Sequence, residues 1–191
     1  MSPKNLNVSK KTHKHLLSYL KNKKLLQIYQ KFENSIKLDE SFIVAVSGGP
    51  DSLALTYLTK IYSIKKSINV KYFIIDHRLR RDSTSETKVI KKLLKNYDID
   101  LKVLNWHGIK PTSNIHSKAR TKRYDLLINK AHKLKIKNIL TAHHIDDLYE
   151  NFFIRITRGS GLKGLVSFTK KNSIQKINVL RPLINFKKKD L

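Results

Sequence analysis

Cysteine is absent from this 191-residue chain. Without thiols the protein can form no disulfide, no thiolate zinc site and no cysteine-based sulfur-transfer centre. The absence also suits a reducing compartment. The functions that stay open are those that need neither a thiol nor a disulfide scaffold.

Long apolar runs are absent as well. No stretch reaches the roughly 18 apolar residues that a membrane-spanning helix needs. The N-terminal stretch Met1–Lys14 is polar and basic and lacks the apolar centre of a signal peptide. We therefore expect a soluble, cytoplasmic protein without a membrane partner.

Acidic residues are scarce. The chain has 14 Asp and Glu against 40 Lys and Arg, which gives a formal net charge of +26. Such an excess attracts polyanions, and RNA is the partner we expect. Two alternatives stay open: the base composition of the genome favours lysine codons and places lysines on solvated faces, or, more weakly, the charge serves a membrane surface.

Length and periodicity predict a single α/β domain. With 191 residues, 40% of them hydrophobic, the chain can bury one ordinary core. Strands are predicted over Ser41–Val46, Val70–Ile75, Leu101–Trp106, Asn138–Ala142 and Ile174–Leu180. Helices are predicted over Thr12–Glu33, after Ser52, from Ser83, over Ile115–Leu134 and from Leu148 to near Gly159. Four alternations of strand and helix favour a parallel sheet with helices on both faces.

The later helices carry finer predictions. Serines at the start of the helix from Ser83 can cap it. The apolar positions expected to face the core include Val89, Ile90, Leu93, Leu94, Ile115, Leu134, Phe152, Phe153 and Ile156.

The rest of the chain is organised around the turn that follows the first strand. Apolar Ile43–Val46 runs into Ser47-Gly48-Gly49-Pro50-Asp51-Ser52 and then into a helical pattern. The small residues let backbone N–H groups approach an anion, and the helix N-terminus adds positive partial charge at the same spot. Phosphate is the expected ligand. The turn is not a GxxxxGK[ST] loop, because it lacks the lysine and carries Asp51 instead.

Three polar junctions follow predicted strands, at 47–52, 76–81 and 143–147. Ligands of parallel α/β sheets bind outside the carboxyl ends of the strands, so these junctions are expected to form one site.

An acid cluster lies at the last of these junctions and continues into the following helix. Asp147 and Glu150 are three residues apart, so both can face one ligand, with Asp146 beside them. Their oxygens suit Mg²⁺ on ATP phosphates or the ammonium of an amine substrate. The alternative is that the acids complement the helix dipole and face solvent. His143 can serve as a base or a hydrogen-bond ligand.

Arginine is the minor basic residue in this lysine-rich chain, and its planar fork suits bidentate phosphate recognition. We expect some arginines to contact phosphate, and a generic RNA-facing or solubilising role is the alternative for each. These arginines are Arg120, Arg123, Arg155, Arg158 and Arg181.

Five blocks resemble, in order, those of the tRNA(Ile)-lysidine synthetase family. They are SGGPDS (Ser47–Ser52), IDHRLR (Ile75–Arg80), ARTKRY (Ala119–Tyr124), AHHIDDLYENFFIRITRGSGLKGL (Ala142–Leu165) and RPL (Arg181–Leu183). The first also resembles the SGGxDS signature of the PP-loop family, whose members cleave ATP to AMP and pyrophosphate. Two positions depart from the family pattern, Leu148 where Gln is common and Asn151 where Thr is usual. Neither removes an acid or a base.

The resemblance implies a two-step reaction on the wobble cytidine of an isoleucine tRNA with a CAU anticodon. ATP adenylates the 2-carbonyl oxygen with release of pyrophosphate, and the ε-amine of free L-lysine then displaces AMP to give lysidine. The residues that it implies for binding ATP, with Mg²⁺ nearby, are Ser47, Gly48, Gly49, Pro50, Asp51 and Ser52. The residues that it implies for catalysis are Asp51, Arg123, His143, Asp147 and Glu150.

The resemblance also implies that residues 1–191 form a PP-loop catalytic domain, with 1–40 as a leading helical segment. The C-terminal tRNA-binding regions of the family are then outside this sequence, and ATP binding is expected without selective tRNA modification. A homodimer is possible. The alternatives are another PP-loop ATP pyrophosphatase acting on tRNA, such as a thiolase, or a non-catalytic RNA-binding module. Most thiolase designs need cysteine, and an RNA-binding module needs neither the loop nor the acids.

Overall fold

The computed structural model describes residues 3–79, 82–108, 111–157 and 171–191. The helices are α1 (Pro3–Ser18), α2 (Lys23–Ser35), α3 (Pro50–Lys66), α4 (Ser83–Lys95), α5 (Ile115–Leu134) and α6 (Ile145–Thr157), with 3-10 turns at Tyr19–Lys21 and Lys188–Asp190. The strands are β1 (Phe42–Val46), β2 (Val70–Asp76), β3 (Leu101–Asn105), β4 (Asn138–Leu140), β5 (Lys171–Ile174) and β6 (Ile177–Leu180). No helix in these ranges is long and apolar enough to cross a membrane.

The described strands form one sheet in the order β3-β2-β1-β4-β6-β5. Every neighbouring pair is parallel except β5 and β6, which are antiparallel. In β1, Val44 is in register with Tyr72 of β2 and Leu140 of β4. The carboxyl ends of the three central strands therefore meet at one edge, which confirms the predicted α/β class. The polar cavity at this edge is lined by residues of the 47–52 and 143–147 junctions and by none described in 76–81, so a single site formed by all three stays a prediction.

Alternate residues of the central strands face two separate cores, because successive strand side chains point to opposite faces. Val44 and Val46 pack in a core with α2 and α3, which contribute Phe32 and Leu55. Ile43 packs in the other core, with residues of α5. Helices thus cover both faces of the sheet, as predicted.

The leading helical segment is interrupted, so the prediction of one helix over Thr12–Glu33 is wrong. A 3-10 turn over Tyr19–Lys21 separates α1 from α2. Asn22 caps α2, because its side-chain oxygen accepts the N–H groups of Lys24 at 3.0 Å and Leu25 at 3.2 Å. Local capping outweighs continuation of the helix here.

The predicted strand Ile174–Leu180 is a hairpin. Ile174 ends β5, and the chain turns at Gln175 and Lys176, which have φ of 50° and 64°. Only Ile177–Leu180 forms the strand that pairs in parallel with β4. The other strands differ from prediction only at their ends, since β1 begins at Phe42, β2 extends to Asp76, β3 ends before Trp106 and β4 ends before Thr141.

Several apolar side chains predicted to face the core are exposed. Val89 of α4 is 67% exposed and Leu93 is 40% exposed, while Thr87 and Leu94 are buried. Phe153 of α6 is 63% exposed, and Ile115 and Leu134, at the two ends of α5, are exposed too. The predicted inward positions Phe152 and Ile156 and the helix end near Gly159 lie outside the described side chains and residues.

Candidate active site

The glycine turn between β1 and α3 has the backbone that the sequence predicted for an anion loop. Pro50 begins α3, and Gly49 precedes it as an N-cap with no side-chain cap. The N-cap position of this 17-residue helix therefore supplies no side chain to its positive end. Gly48 has φ +87°, and a Cβ atom added to it would clash with Cδ1 of Ile90 on α4. The positive φ favours glycine at this position, and a residue with a Cβ would also require the end of the Ile90 side chain to move.

Ser52 holds the turn together from inside. Its Oγ accepts the N–H groups of Ser47 at 3.2 Å and Gly48 at 3.0 Å, and its hydroxyl donates to the carbonyl of Gly49 at 2.9 Å. The two loop amides predicted to face an anion are thus bonded to Ser52. Their contact with phosphate stays a prediction, as does the binding of an anion at the first turn of α3.

A cavity of about 180 Å³ joins this loop to α5 and to the β4–α6 junction. It brings together seven of the predicted residues, which are Ser47, Gly49, Asp51, Ser52, Arg123, His143 and Asp147. Gly48 and Pro50 belong to the loop but do not line the cavity, and Glu150 is solvent-exposed on α6, outside the lining. Residues from three distant parts of the chain therefore share one polar space.

A larger cavity of about 310 Å³ lies among α1, α2 and α3. Its lining is apolar, with leucine, isoleucine and tyrosine side chains such as Leu16, Leu20 and Tyr57, and it contains no group of converging charges. The smaller polar cavity is the better candidate for chemistry, because it has titratable side chains and the helix N-terminus.

His143 is held neutral near pH 7. Burial lowers its pKa to about 4, helped by the charges of Arg120, Arg181 and Arg123 and opposed by Asp147. Its Nδ1 lies 3.0 Å from the hydroxyl oxygen of Thr141, and that hydroxyl is 3.4 Å from the carbonyl of Leu180. If the hydroxyl donates to the carbonyl, Nδ1 carries the proton and Nε2 is the hydrogen-bond acceptor. So low a pKa makes His143 a weak base and favours hydrogen bonding of a substrate.

Three of the predicted arginines surround this site. Arg123 lines the cavity, and burial followed by the charge of Arg120 lowers its pKa, against an opposing effect of Tyr124. Arg120 lies over the ring of Tyr124, 5.9 Å from its centroid. Arg181, just after β6, is only 4% exposed. Arg158 and the side chain of Arg155 lie outside the part of the chain that the structure describes.

His144 is a site residue that sequence analysis missed. It is 4% exposed, and its Nε2 lies 3.3 Å from Asp51 Oδ2 and 3.6 Å from Asp147 Oδ2. Its Nδ1 lies 3.5 Å from Asp146 Oδ2. The histidine pair after β4 was a visible signal, but the backbone at this junction decides which of the two rings is enclosed by carboxylates.

Asp76 organises the neighbouring junction after β2. It is 2% exposed and accepts the hydroxyls of Ser83 at 2.6 Å and Thr84 at 2.7 Å and the N–H of Arg78 at 3.0 Å. Burial opposes its ionisation, but these hydrogen bonds and the Arg78 charge keep its pKa below the ordinary value. The prediction that the serines cap α4 is therefore wrong for Ser83, which binds Asp76. Arg80 and Arg81 of this junction lie outside the described residues.

The carboxylates of the cavity fit a Mg²⁺ ion that is bound together with a nucleotide. Among the described residues no group of three or more His, Asp or Glu is arranged to hold a metal ion by itself. Mg²⁺ usually binds through one or two carboxylates, substrate phosphates and water. Asp51 and Asp147 supply such carboxylates in the cavity.

A parallel sheet whose first strand runs into a glycine turn, with a polar cavity at the carboxyl ends of its strands, defines an α/β nucleotide-binding domain. The family model described as a PP-loop domain matches residues 18–191, and the chain belongs to this family. Membership implies use of ATP, as the SGGPDS motif predicted.

Two curated relatives are similar in sequence to most of this chain. The chain is 41% identical over 160 residues to the tRNA(Ile)-lysidine synthase of Orientia tsutsugamushi (strain Boryong), which covers 84% of this chain and 35% of that protein. It is 39% identical over 170 residues to the enzyme of the same name from Rickettsia felis (strain ATCC VR-1525 / URRWXCal2), covering 86% of this chain and 39% of that one. The chain thus spans between 35% and 39% of the length of these relatives. The similarity seen in the sequence motifs is confirmed.

Two solved structures are similar in fold. The U34-tRNA thiolase NcsA from Methanococcus maripaludis, solved with its [4Fe-4S] cluster, matches with a TM-score of 0.73 and 19% identity, over 87% of this chain and 61% of that one. The FMN adenylyltransferase of Candida glabrata matches with a TM-score of 0.52 and 11% identity, over 96% of this chain and 64% of that one. At these identities the comparisons establish the fold alone.

Proposed function

We propose that this chain is the catalytic domain of a tRNA(Ile)-lysidine synthase, which joins free L-lysine to the wobble cytidine of an isoleucine tRNA with a CAU anticodon. The observation that carries the proposal is the shared cavity, in which the nucleotide loop meets Arg123, His143 and Asp147. The names and identities of the curated relatives support the same reaction.

In the first step, the 2-carbonyl oxygen of cytidine attacks the α-phosphorus of ATP. The bond to the β-phosphate breaks, pyrophosphate leaves and an adenylated base forms. The uncapped N-terminus of α3 faces the developing phosphate charge, and Arg123 adds a cation from α5. Asp51 would hold Mg²⁺, which neutralises phosphate charge when bound. His143, neutral by burial, orients the base through a hydrogen bond.

In the second step, the ε-amine of lysine attacks C2 of the adenylated base. The C2–O bond breaks and AMP leaves, so the adenylate of the first step is the leaving group of the second. Asp147 and Glu150 hold the lysine ammonium, and a carboxylate takes the proton that the amine loses before it attacks. Glu150 is exposed one turn beyond Asp147, which suits a contact with a ligand that arrives from solvent.

The positive charge supplies the affinity for tRNA in this proposal. Phosphate contacts from Lys and Arg give most non-specific affinity, whereas they do not fix which nucleotide enters the cavity. This charge is therefore assigned affinity for tRNA and not selection among tRNAs. Homodimer formation and a cytoplasmic location stay predictions.

A thiolase function is less well supported. The thiolase with the similar fold contains a [4Fe-4S] cluster. Such clusters are held mainly by cysteine thiolates, and this chain has no cysteine.

Formation of AMP from ATP tests the proposal. We expect AMP to appear at a substantial rate only when ATP, an isoleucine tRNA and free lysine are all present. Asp51→Ala should abolish AMP formation, and Asp147→Asn should spare ATP binding while raising the KM for lysine or lowering kcat. Asp125→Asn, on the exposed surface of α5, is the matched control and should behave as wild type. AMP formation independent of lysine, or normal AMP release by Asp51→Ala, would contradict the proposal.

A further inference from the structure

His144 lies between carboxylates of two different helices. Its Nε2 is 3.3 Å from Oδ2 of Asp51 on α3 and 3.6 Å from Oδ2 of Asp147 on α6. On the other side of the ring, Nδ1 is 3.5 Å from Oδ2 of Asp146. The ring is 4% exposed, so water cannot easily replace these neighbours.

The backbone around His144 is anchored from both sides. The N–H of His144 donates to Asp147 Oδ2 at 2.8 Å, and the N–H of Ile145 donates to the carbonyl of Phe186 at 3.1 Å. The N–H of Lys188 donates to Asp146 Oδ2 at 2.7 Å. The C-terminal segment therefore holds the junction from which the ring extends, and the ring has little freedom to leave Asp51.

The imidazole of His144 lies where it can reduce the repulsion between the carboxylates of the cavity and a phosphate ligand. Asp51 and Asp147 both face a space that the proposed function fills with phosphate, and like charges at short range oppose one another and the ligand. The ring of His144, whose Nε2 lies 3.3 Å from Asp51 Oδ2, restricts the orientation of that carboxylate, and a proton on Nε2 would offset part of its charge. The loop acid is then held before the nucleotide arrives.

We propose that His144 is a positioning residue that ties the loop acid Asp51 to the acids of α6 and thereby prepares the loop for ATP. The proposal rests on the proposed function only in taking ATP as the ligand of the loop. It predicts that the Nε2 side of the ring matters and that the Nδ1 side matters less, because Nε2 is the nitrogen near Asp51.

Three substitutions separate the two ring nitrogens. The amide nitrogen of His144→Gln reaches the region of Nε2, that of His144→Asn reaches only the region of Nδ1, and His144→Ala has neither. The measurement is the Kd for ATP with Mg²⁺ by titration calorimetry on the full chain. We expect Ala and Asn to weaken binding by about tenfold, the equivalent of one hydrogen bond, and Gln to stay within about threefold of wild type. Wild-type affinity in His144→Ala, or equal affinity in Gln and Asn, would overturn the proposal.

A double-mutant cycle with Asp51→Asn shows whether the effect passes through the loop acid. In the Asp51→Asn background, His144→Ala should have little further effect on the Kd. The same cycle measured by urea unfolding needs no ligand and should also be non-additive. Additive effects in both cycles would show that His144 acts elsewhere.

The outcome is distinguishable from that of the proposed function. A chain that shows this pattern of ATP affinities but makes no lysidine would contradict the proposed function and leave the role of His144 intact. A chain that makes lysidine while all three variants bind ATP as wild type does would contradict the role of His144 alone.

Discussion

Gly48→Ala is the substitution that tests the loop geometry most sharply. Gly48 has φ +87°, in the region that residues with a Cβ rarely adopt, and the new methyl group would clash with Cδ1 of Ile90. Gly49, the next residue, has φ −73° and ψ 163°, and its added methyl group would meet only Ser47 Oγ at 3.9 Å. The two neighbouring glycines thus make different predictions for the same substitution.

The expected cost at Gly48 has two parts. A positive φ costs a residue with a Cβ about 1–2 kcal/mol. Moving the end of the Ile90 side chain to a poorer rotamer adds about 0.5–1.5 kcal/mol. The lower entropy of the unfolded alanine chain returns about 0.4–1 kcal/mol, so the net loss of unfolding free energy is about 0.5–3 kcal/mol, with a central value near 2 kcal/mol. At Gly49 the gain from the lower entropy of the unfolded chain roughly cancels the loss caused by alanine, which is a poorer N-cap residue than glycine. The free energy of unfolding of Gly49→Ala should therefore stay within about 0.5 kcal/mol of wild type.

Urea unfolding of the single variants, and of Gly48→Ala in an Ile90→Ala background, provides the test. Removing the end of Ile90 relieves the clash but not the backbone strain, so the cost of Gly48→Ala should fall by about 1 kcal/mol in that background. A Gly48→Ala protein as stable as Gly49→Ala would refute the loop geometry. An undiminished cost in the Ile90→Ala background would refute the contact with α4.

Three further predictions concern the same site and the charge of the surface. Because the pKa of His143 is about 4 in the folded protein and near 6.5 when unfolded, the unfolded state takes up the proton first as pH falls. Between roughly pH 6.5 and 4, the free energy of unfolding of the wild type should therefore fall by up to about 3 kcal/mol relative to that of His143→Asn, and above pH 6.5 the two proteins should have equal pH dependence. Free energies of unfolding that change in parallel over the whole pH range would contradict the burial of a neutral His143 ring. Ser52→Ala leaves the N–H groups of Ser47 and Gly48 without their acceptor and should cost about 1–3 kcal/mol by urea unfolding, whereas a loss below about 0.5 kcal/mol would show that the turn does not depend on it. If the +26 charge serves tRNA binding, the affinity for tRNA should fall with salt concentration along a log–log slope equivalent to roughly 5 or more phosphate contacts. An affinity that does not change with salt would favour the alternative, in which codon composition explains the lysines.

The strand and helix alternation and the loop were predictable because each rests on local chemistry. An apolar strand followed by Ser47-Gly48-Gly49 can hardly form anything but a tight turn into α3, and parallel pairing then brings the distant junctions together. Asn22 was a readable signal too, since it is a strong N-cap residue, although the helical pattern on both sides of it concealed the break.

The features that were not predictable depend on packing at long range. In α4 the apolar stripe is wider than the face that the core can accept, and Ser83 and Thr84 on Asp76 together with Ile90 against Gly48 fix which side turns inward. Val89 is left outside for that reason. The hairpin turn at Gln175 and Lys176 contains neither glycine nor asparagine, so no turn residue marked it.

The histidine pair shows the same limit within the site. Both His143 and His144 follow β4, and the sequence favours neither as the one that touches the loop acid. The bonds from Ile145 to Phe186 and from Lys188 to Asp146 set the backbone angle that places His144 against Asp51. These partners lie some forty positions away along the chain, beyond the reach of a local pattern.

The central claim is lysidine formation, and the measurement that tests it most directly is mass analysis of nucleoside 34. A tRNA with a CAU anticodon would be incubated with the protein, ATP, Mg²⁺ and isotopically labelled lysine, then digested to nucleosides. The account predicts a cytidine at position 34 that carries the labelled lysine in place of its 2-oxygen, formed only with ATP and lost in Asp51→Ala. Unmodified cytidine at position 34 under conditions in which the protein binds both ATP and tRNA would contradict it.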